Sequence, residues 1–359
     1  MLKGLQISIL NLSKLNIWND RFRFDSEFVR KEYLKLERVL KSKKYKLLAD
    51  TDCKILHPSE IKREYVDKEN GMWFFRTQNI RPLKIEHSND VFISKKDAER
   101  LSKNLIKKND IVITRTGANF GQTALYNIEN IAIGSSHTFI LRNSYFNQSF
   151  LAVFFNSKFG RKLIDKGMYG GSQPEIAPYY LLHIPIPEFS NTFQKKIEKY
   201  LQDSGNYIHS SKQSYTKAEN ILLEEIGLKN FTHSTDPVNI KSYKDSFSTS
   251  GRLDAEYYQL KFEQVVNKLK NKSFDILNNL VDISKSIEPG SKHYVENGLP
   301  FMRVADLSQN GLSRPQKYIS DSFVKENQDK INDLKPKRGT ILFSKDGSVG
   351  IAYYLRQNY

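Results

Sequence analysis

Residues 23–28 read Arg-Phe-Asp-Ser-Glu-Phe and residues 252–257 read Arg-Leu-Asp-Ala-Glu-Tyr, so this stretch returns after 229 positions (252 − 23). Apolar residues that follow the first copy recur at the same offset after the second. They are Val29, Tyr33, Leu36 and Leu40 in the first copy, and Tyr258, Phe262, Val265 and Leu269 in the second. Their spacing is that of one face of an amphipathic helix. We therefore predict two equivalent modules that bury the same helical surface.

A second matched stretch supports the repeat. Residues 110–117 read Asp-Ile-Val-Ile-Thr-Arg-Thr-Gly and residues 340–347 read Thr-Ile-Leu-Phe-Ser-Lys-Asp-Gly, at an offset of 230 (340 − 110). Each is a β-branched and aliphatic run that ends in a glycine turn, which predicts a strand followed by a tight loop.

The composition indicates a folded, strongly basic protein. The 359 residues are 39% hydrophobic and 12% aromatic, and the formal net charge is +16. A charge of this size favours a polyanionic partner, and the alternative is a lysine-rich surface that is merely solvated. No apolar run approaches the length of a membrane span, and a single cysteine, Cys53, excludes an internal disulfide and a cysteine-rich zinc site. We expect a cytoplasmic protein without membrane contact.

The first module reads as short strands with a few helices. Residues 1–12 alternate like a strand, and a first helix is predicted from Ser26 to Lys43, with Ser26 as its cap. The clearest further strands are residues 73–75, 110–114, 123–126 and 131–134. A helical pattern covers residues 150–166, and residues 182–187 read as an extended exit.

A long helix with a coiled-coil period follows, from Thr192 to Glu225, and Gly227 is placed to stop it. Its seam alternates steps of four and three and contains Ile197, Leu201, Ser204, Ile208, Ser211, Tyr215, Ala218 and Leu222. Because serines interrupt the seam, we expect this helix to pair with another helix. The candidate partner-binding residues are Ile197, Leu201, Ile208, Tyr215 and Leu222.

The predicted fold class is α+β, with two tandem domains of mixed β core and short helices separated by the long helix. We assign residues 1–190 to the first domain, 191–250 to the helical spacer and a polar linker, and 251–359 to the second domain. After Gly121 the first module continues for 66 residues to Pro187 (187 − 121), whereas 9 residues follow Gly350 (359 − 350). We therefore expect the second domain to be incomplete.

This order of motifs resembles the specificity subunit of Type I restriction–modification systems. The resemblance rests on the two repeated stretches, on residues 170–176 (Gly-Gly-Ser-Gln-Pro-Glu-Ile) before residues 184–188 (Ile-Pro-Ile-Pro-Glu), and on the helix start around Gln194. Residues 298–307 (Gly-Leu-Pro-Phe-Met-Arg-Val-Ala-Asp-Leu) add a further match in the second copy. Together these motifs cover nearly the whole chain.

The resemblance implies two target-recognition domains, each reading one half of a bipartite site in double-stranded DNA, and a spacer helix that fixes their separation. It also implies that methyltransferase and restriction subunits dock on this chain and carry the chemistry. The second spacer helix of the family is absent from the sequence, so a second copy of the chain is a further expected partner.

The sequence contains no convincing catalytic motif. The run Ala177-Pro178-Tyr179-Tyr180 has one proline where amino-methyltransferases have two, and Gly117–Gln122 lacks the lysine of a phosphate-binding loop. Ser136 and His137 are adjacent, so in a strand they point to opposite faces. We expect no catalysis, no metal and no cofactor.

The candidate DNA-contacting residues fall in loops that follow predicted strands. Arginine pairs with guanine, and asparagine or glutamine with adenine. The alternatives are a solvated Arg115 in a simple turn, internal hydrogen bonds around Asp306, and a connecting role for the loop at Gln173. The candidates are Arg76, Gln78, Arg115, Thr116, Asn119, Ser172, Gln173, Arg303, Lys345 and Ser348.

Two other functions stay open at this point. The chain resembles the recognition end of a single-chain restriction–methylation enzyme as well, although it lacks an acidic metal cluster or a cofactor loop. A scaffold or inhibitor that uses the helical seam without DNA is the other alternative. Steep weakening of DNA binding by salt would separate a DNA reader from such a scaffold.

Overall fold

The computed structural model describes residues 9, 11, 25–60, 62–87, 89–142, 145–171, 173–308 and 311–358. Of the predicted strand over residues 1–12, all but two positions lie outside the described residues, as does Ser172. The chain folds into two compact units, Met1–Glu219 and Asn220–Tyr359, here called unit 1 and unit 2. The division falls inside the long helix.

Unit 1 has the mixed α+β character predicted from the sequence. The helices in its described part are α1 (Lys31–Lys41), α2 (Lys95–Glu99), α3 (Gln148–Asn156), α4 (Lys158–Lys166), α5 (Pro178–Leu182) and the long α6 (Asn191–Glu225), which continues into unit 2. The strands are β1 (Tyr45–Leu47), β2 (Lys54–Leu56), β3 (Tyr65–Val66), β4 (Gly71–Phe75), β5 (Ile80–Arg81), β6 (Lys84–Ile85), β7 (Val91–Ser94), β8 (Leu105–Ile106), β9 (Ile111–Thr114), β10 (Thr123–Leu125), β11 (Ala132–Gly134), β12 (Thr138–Arg142), β13 (Met168–Tyr169), β14 (Glu175–Ile176) and β15 (Pro185–Pro187).

Two sheets organise unit 1. One has the strand order β3-β7-β4-β11-β8 and the other β10-β9-β12-β2, while β1–β15, β5–β6 and β13–β14 form separate pairs. All pairings are antiparallel except β4 with β11. The four strands predicted most clearly from the sequence are present, with ends that differ by one or two residues from the prediction.

Strand β9 is buried along its whole length and divides two hydrophobic cores. Ile111 and Ile113 belong to the core that includes α3 and α4, whereas Val112 belongs to a second core with Phe75 and Tyr126. Successive side chains of a strand point to opposite faces, so one strand supplies both cores.

The first helix begins later than predicted. It starts at Lys31, and residues 26–29 form a turn in which the Asp25 carboxylate accepts a hydrogen bond from the backbone N–H of Phe28 at 2.9 Å. Ser26 is therefore not the cap. Local side-chain capping by Asp25 competes with helix formation at this point.

The helical pattern over residues 150–166 also resolves differently, into two helices. Ser157 ends α3 and caps α4, because its Oγ accepts from the backbone N–H of Gly160 at 3.1 Å. A Cβ at Gly160 would lie 1.9 Å from the carbonyl oxygen of Phe154, so the sharp turn requires glycine there.

The predicted long helix is confirmed, with Asn191 and Glu225 as its ends. Thirty-five residues span about 50 Å at the rise of an α-helix. Gly227 has φ of +75°, and the N–H of Leu228 donates to the carbonyl of Leu223 at 2.7 Å, so glycine stops the helix as predicted. Near its start Ile197 and Leu201 are half-buried, while Ile208, Tyr215 and Leu222 are exposed.

Unit 2 repeats the local structure of unit 1. Its described helices are α7 (Phe247–Ser250), α8 (Leu260–Lys270), α9 (Leu277–Leu280), α10 (Asp321–Glu326) and α11 (Gln328–Asp333). Its strands are β16 (Tyr294–Val295), β17 (Leu299–Phe301), β18 (Leu307–Ser308), β19 (Gly311–Leu312), β20 (Lys317–Ile319), β21 (Ile341–Phe343) and β22 (Ala352–Tyr354). They form one three-stranded sheet, β16-β20-β17, and the pairs β18–β19 and β21–β22.

The repeat is confirmed at the level of secondary structure but not of burial. Helices α1 and α8 each have 11 residues and start 229 positions apart (260 − 31). Tyr33 of α1 is buried, whereas the matching Phe262 of α8 is exposed. The expectation that both copies bury the same stripe is therefore wrong for unit 2.

The buried carboxylate of Asp110 provides a test of unit 1. Arg142 binds it through Nε and Nη2, at 2.6 Å to each carboxylate oxygen. We predict that Arg142→Ala lowers the free energy of unfolding by about 3 kcal/mol, because it leaves the buried Asp110 carboxylate without its positively charged partner. Trp73 lies in β4 and residues 220–359 contain no tryptophan, so urea unfolding followed by tryptophan fluorescence measures this change.

The matched control is Lys108→Ala, which removes an exposed ion pair with Glu129 and should cost less than about 1 kcal/mol. Equal losses in the two variants would contradict a structural role for the Asp110–Arg142 pair.

Candidate nucleic-acid interface

One end of unit 1 collects loops from both sheets. Strands β4 and β11 run parallel with Phe75 opposite Gly134, so their carboxyl ends leave the sheet at the same edge. Arg76 follows one strand and the turn Ser135–His137 follows the other. The backbone N–H of Ser135 donates to the carbonyl of Phe75 at 3.0 Å, which holds the two exits together.

Arg115, directly after β9, joins this turn to two further loops. Its guanidinium forms an ion pair with Glu175, lies 2.7 Å from Nε2 of His57 through Nη1, and donates to the carbonyl of Ser136 at 3.3 Å. The side chain is 23% exposed. A freely solvated Arg115, the alternative left open by the sequence, is therefore wrong, and a contact between Arg115 and a base stays a prediction.

His57 contacts two groups of this arrangement through one ring nitrogen. Its Nε2 lies 2.7 Å from Nη1 of Arg115 and 3.2 Å from the carbonyl oxygen of Ser136. Burial lowers the pKa of His57, and the neighbouring positive charge of Arg115 lowers it further.

The turn after Arg115 is fixed from both sides. Oγ1 of Thr116 lies 2.9 Å from Nδ1 of His137, and Thr116 forms a β-bridge with Glu175. Gly117 has φ of +92°, a backbone conformation that favours glycine. Oδ1 of Asn119 accepts from Nε2 of Gln122 at 3.4 Å, so the Asn119 side chain braces its own turn.

The glycine-rich loop at residues 170–175 lies against the same turn. The N–H of Gly117 donates to the carbonyl of Pro174 at 3.4 Å, and Gln173 is exposed at the surface of the loop. The structure thus brings the turn of Arg115 and Thr116 next to the loop of Gln173. Ser172 is outside the described residues.

Arg76 and Arg303 occupy matching turns in the two units. The N–H of Arg76 donates to Oδ1 of Asn79 at 2.9 Å, and the N–H of Arg303 donates to Oδ2 of Asp306 at 3.0 Å. Asp306 is buried, so the alternative that it organises its own turn is confirmed.

Nη2 of Arg76 also donates to the carbonyl of Asn89, and Gln78 lies half-buried in the same turn as Arg76.

The matching glycine turn of unit 2 is more exposed. Lys345 lies at the surface and pairs with Asp346, its neighbour in the chain. Ser348 is also exposed, and its carbonyl accepts a hydrogen bond from Oγ of Ser344. Both candidate side chains are thus at the surface of a tight turn.

Sequence reasoning missed His57, Glu60 and Glu175 as members of this site. They lie 58, 76 and 60 positions from the residues they bind, and no local pattern marks such pairs. Ser136 Oγ donates to Glu60, which lowers the pKa of that carboxyl group. Since His137 instead contacts Thr116, Ser136 and His137 do not form a nucleophile–base pair.

Other chemistry is not apparent among the described residues. They contain no cluster of three or more His, Cys, Asp or Glu side chains with the geometry of a metal site. None of their helices combines the length and apolar character that a membrane span needs. Burial raises the pKa of the Cys53 thiol to about 12, so the reactive thiolate is not formed near neutral pH.

Cationic and amide side chains on loops of a folded scaffold, in a chain of net charge +16, are typical of DNA-recognition proteins. Residues 53–220 match the family model described as the Type I restriction modification DNA specificity domain. This match covers 168 of the 359 residues (220 − 53 + 1), and over that part of the chain the resemblance inferred from the sequence is confirmed. No curated protein matches the chain.

Several solved structures are similar at low identity. The Type I restriction–modification S subunit of M. genitalium is 13% identical with a TM-score of 0.38, over 88% of this chain and 69% of that one. The HsdS subunit of Thermoanaerobacter tengcongensis is 16% identical with a TM-score of 0.34, over 51% and 46%. A chain from a structure of Type I R-M complex assembly and conformational transition is 16% identical, with a TM-score of 0.35, over 54% and 48%. This chain thus spans about half the length of the last two.

The His57–Arg115 contact predicts a pH dependence. The folded-state pKa of His57 is lowered, so the unfolded chain binds the proton more readily. The stability of unit 1 should therefore fall as the pH drops through about 6.5, the ordinary pKa of histidine. His57→Gln keeps an acceptor for Arg115 without a titrating group, and should lose less stability between pH 7.5 and 5.5 in urea unfolding.

His209→Gln on the exposed face of α6 is the matched control and should behave as the unaltered chain. An unchanged pH profile for His57→Gln would show that the ring does not sense Arg115.

Proposed function

We propose that this chain is a sequence-specific DNA-recognition subunit of a Type I restriction–modification complex. The observation that carries the proposal is the position of the family match, because residues 53–220 include every loop of the site in unit 1. In this proposal residues 1–190 and 251–359 are target-recognition domains for the two halves of a bipartite site, and residues 191–250 separate them.

Within unit 1 we assign different tasks to the candidate residues. Gln173 and Thr116 lie on adjoining loops and supply the amide and hydroxyl groups that read base edges. Arg115 is held by Glu175 and His57, so its first task is to position the two loops, and its guanidinium adds positive charge at the DNA surface. Asn119, whose amide is used within the turn, supports the same loop.

Arg76 and Gln78 extend this surface along the neighbouring sheet edge. Since the carboxyl ends of β4 and β11 emerge together, Arg76 lies beside the turn that Arg115 binds. In unit 2 the matching positions are Arg303, Lys345 and Ser348, which we assign to the second half-site. Surface lysines elsewhere supply phosphate contacts, which position a protein without reading sequence.

The exposed length of α6 is the proposed docking site for a methyltransferase subunit, through which restriction subunits join the complex. Ile208, Tyr215 and Leu222 are exposed at seam positions, whereas Ile197 packs against the core of unit 1 and Leu201 is half-buried. A seam that is buried at one end and open at the other fits a partner helix that binds from about residue 204 onward. The chain itself supplies recognition without catalysis or a cofactor.

DNA selection tests the function directly. We expect the purified chain to enrich duplexes that share one short motif from a randomised pool. Binding to the enriched duplex should weaken by about 10³-fold or more between 50 and 200 mM salt, given at least six phosphate contacts. Fluorescence anisotropy measures both values, and equal affinity for enriched and scrambled duplexes would contradict sequence recognition.

The enriched and scrambled duplexes also distinguish contacts with base edges from contacts with phosphates. Gln173→Ala should cut the preference for the enriched over the scrambled duplex about tenfold and leave the salt dependence unchanged. Gln213→Ala, at an exposed position of α6, is the control and should alter neither.

The apolar seam of α6 can be tested separately from DNA binding. Ile208→Asp should abolish co-purification with the methyltransferase subunit because it places a charge in an apolar seam. Asn206→Asp adds the same charge on the opposite side of α6 and should leave the complex intact. If sedimentation shows that Ile208→Asp instead dissociates a dimer of this chain, the seam binds a second copy and the methyltransferase assignment fails.

A further inference from the structure

The turn between β11 and β12, residues 135–137, ends in a side chain to which no role has been assigned. Ser135 and Ser136 are 4% and 9% exposed, whereas His137 is exposed at the surface. Thr138, the first residue of β12, is fully buried. His137 is therefore the side chain through which this turn can contact a ligand.

The backbone of this turn is held at several points. The carbonyl of Ser135 accepts hydrogen bonds from the N–H of Thr138 at 3.0 Å and from its Oγ1 at 2.7 Å. The carbonyl of His137 accepts one from the N–H of Arg115 at 2.8 Å. A backbone held in this way gives the His137 side chain the fixed starting point that base reading requires.

The imidazole ring of His137 is held as well, at one of its two nitrogens. Oγ1 of Thr116 lies 2.9 Å from Nδ1 of this ring. Among the described residues, Nε2 of His137 has no hydrogen-bond partner. One nitrogen thus orients the ring, and the other is open to a ligand.

The contact with Thr116 favours a proton on Nε2. Among the described residues, Nδ1 of His137 is the one acceptor within reach of the Thr116 hydroxyl. A hydroxyl that donates to Nδ1 leaves the proton of a neutral ring on Nε2, and a protonated ring carries a proton on both nitrogens. In both states Nε2 is a donor, and the Thr116 oxygen keeps lone pairs that can accept from a base.

We propose that His137 reads a purine in the major groove by donating from Nε2 to N7 of the base. This inference rests on the proposed function, because it needs DNA at the loops of unit 1. Adenine and guanine both present N7 as an acceptor at their major-groove edge, and pyrimidines have no such nitrogen. A single donor that meets N7 therefore accepts either purine and discriminates against both pyrimidines.

The first test uses the motif that the unaltered chain enriches from the randomised pool. We expect one position of that motif to accept A or G. His137→Ala should lower the preference for purine at this position about fivefold, because one hydrogen bond is lost, and should leave the other positions unchanged. His209→Ala, on the exposed face of α6, is the matched control and should leave the whole motif unchanged.

Modified DNA tests the atom without altering the protein. A 7-deazapurine at the same position lacks N7 and keeps the base-pairing edge. In fluorescence anisotropy, the unaltered chain should bind the modified duplex about fivefold more weakly than the enriched one. His137→Ala should bind the two duplexes equally.

The outcomes distinguish this inference from the proposed function. If the unaltered chain enriches no motif, the proposed function fails and the role of His137 fails with it. If a motif is enriched and His137→Ala leaves it unchanged, recognition stands and the role of His137 is overturned. An equal loss of affinity for every duplex would also overturn it, since that is the behaviour of a phosphate contact. A 7-deazapurine effect that persists in His137→Ala would assign the N7 contact to another side chain.

Discussion

The burial of β9 is the constraint on which unit 1 depends. Four consecutive residues, Ile111–Thr114, are buried, and neighbouring strands hydrogen-bond to both edges. Since alternate side chains enter two different cores, any shift in register would misplace both at once. A strand held in this way ends at a fixed point, and Arg115 is the next residue.

The proposed recognition surface follows from that fixed end. Arg115 leaves the buried strand with its backbone tied to His137 and its guanidinium tied to Glu175, so the turn and two other loops are located relative to one scaffold. Base reading needs side chains placed to within a fraction of an ångström, which loops achieve only when their backbones are held. Because Glu175 compensates its charge, Arg115 contributes here mainly by holding the loops in place.

The features that the sequence predicted are those encoded locally. The repeat, the strand at residues 111–114, the long helix and its stop at Gly227 each depend on periodicity or on one residue's conformational preference. The errors arise where a short-range competitor acts, as with Asp25 before α1 and Ser157 between α3 and α4. The partners of Arg115 could not be predicted, because His57 and Glu175 lie about sixty positions away on either side and only the fold brings them together.

The contrast between the two units separates local folding from burial. Helix α8 has the same length as α1, and the capped turn at Arg303 repeats that at Arg76, although the apolar stripe of α8 is open. The helical period of α8 and the hydrogen bonds of the turn at Arg303 therefore suffice for these elements without the burial seen in unit 1. An exposed apolar stripe adds nothing to such local structure and favours aggregation.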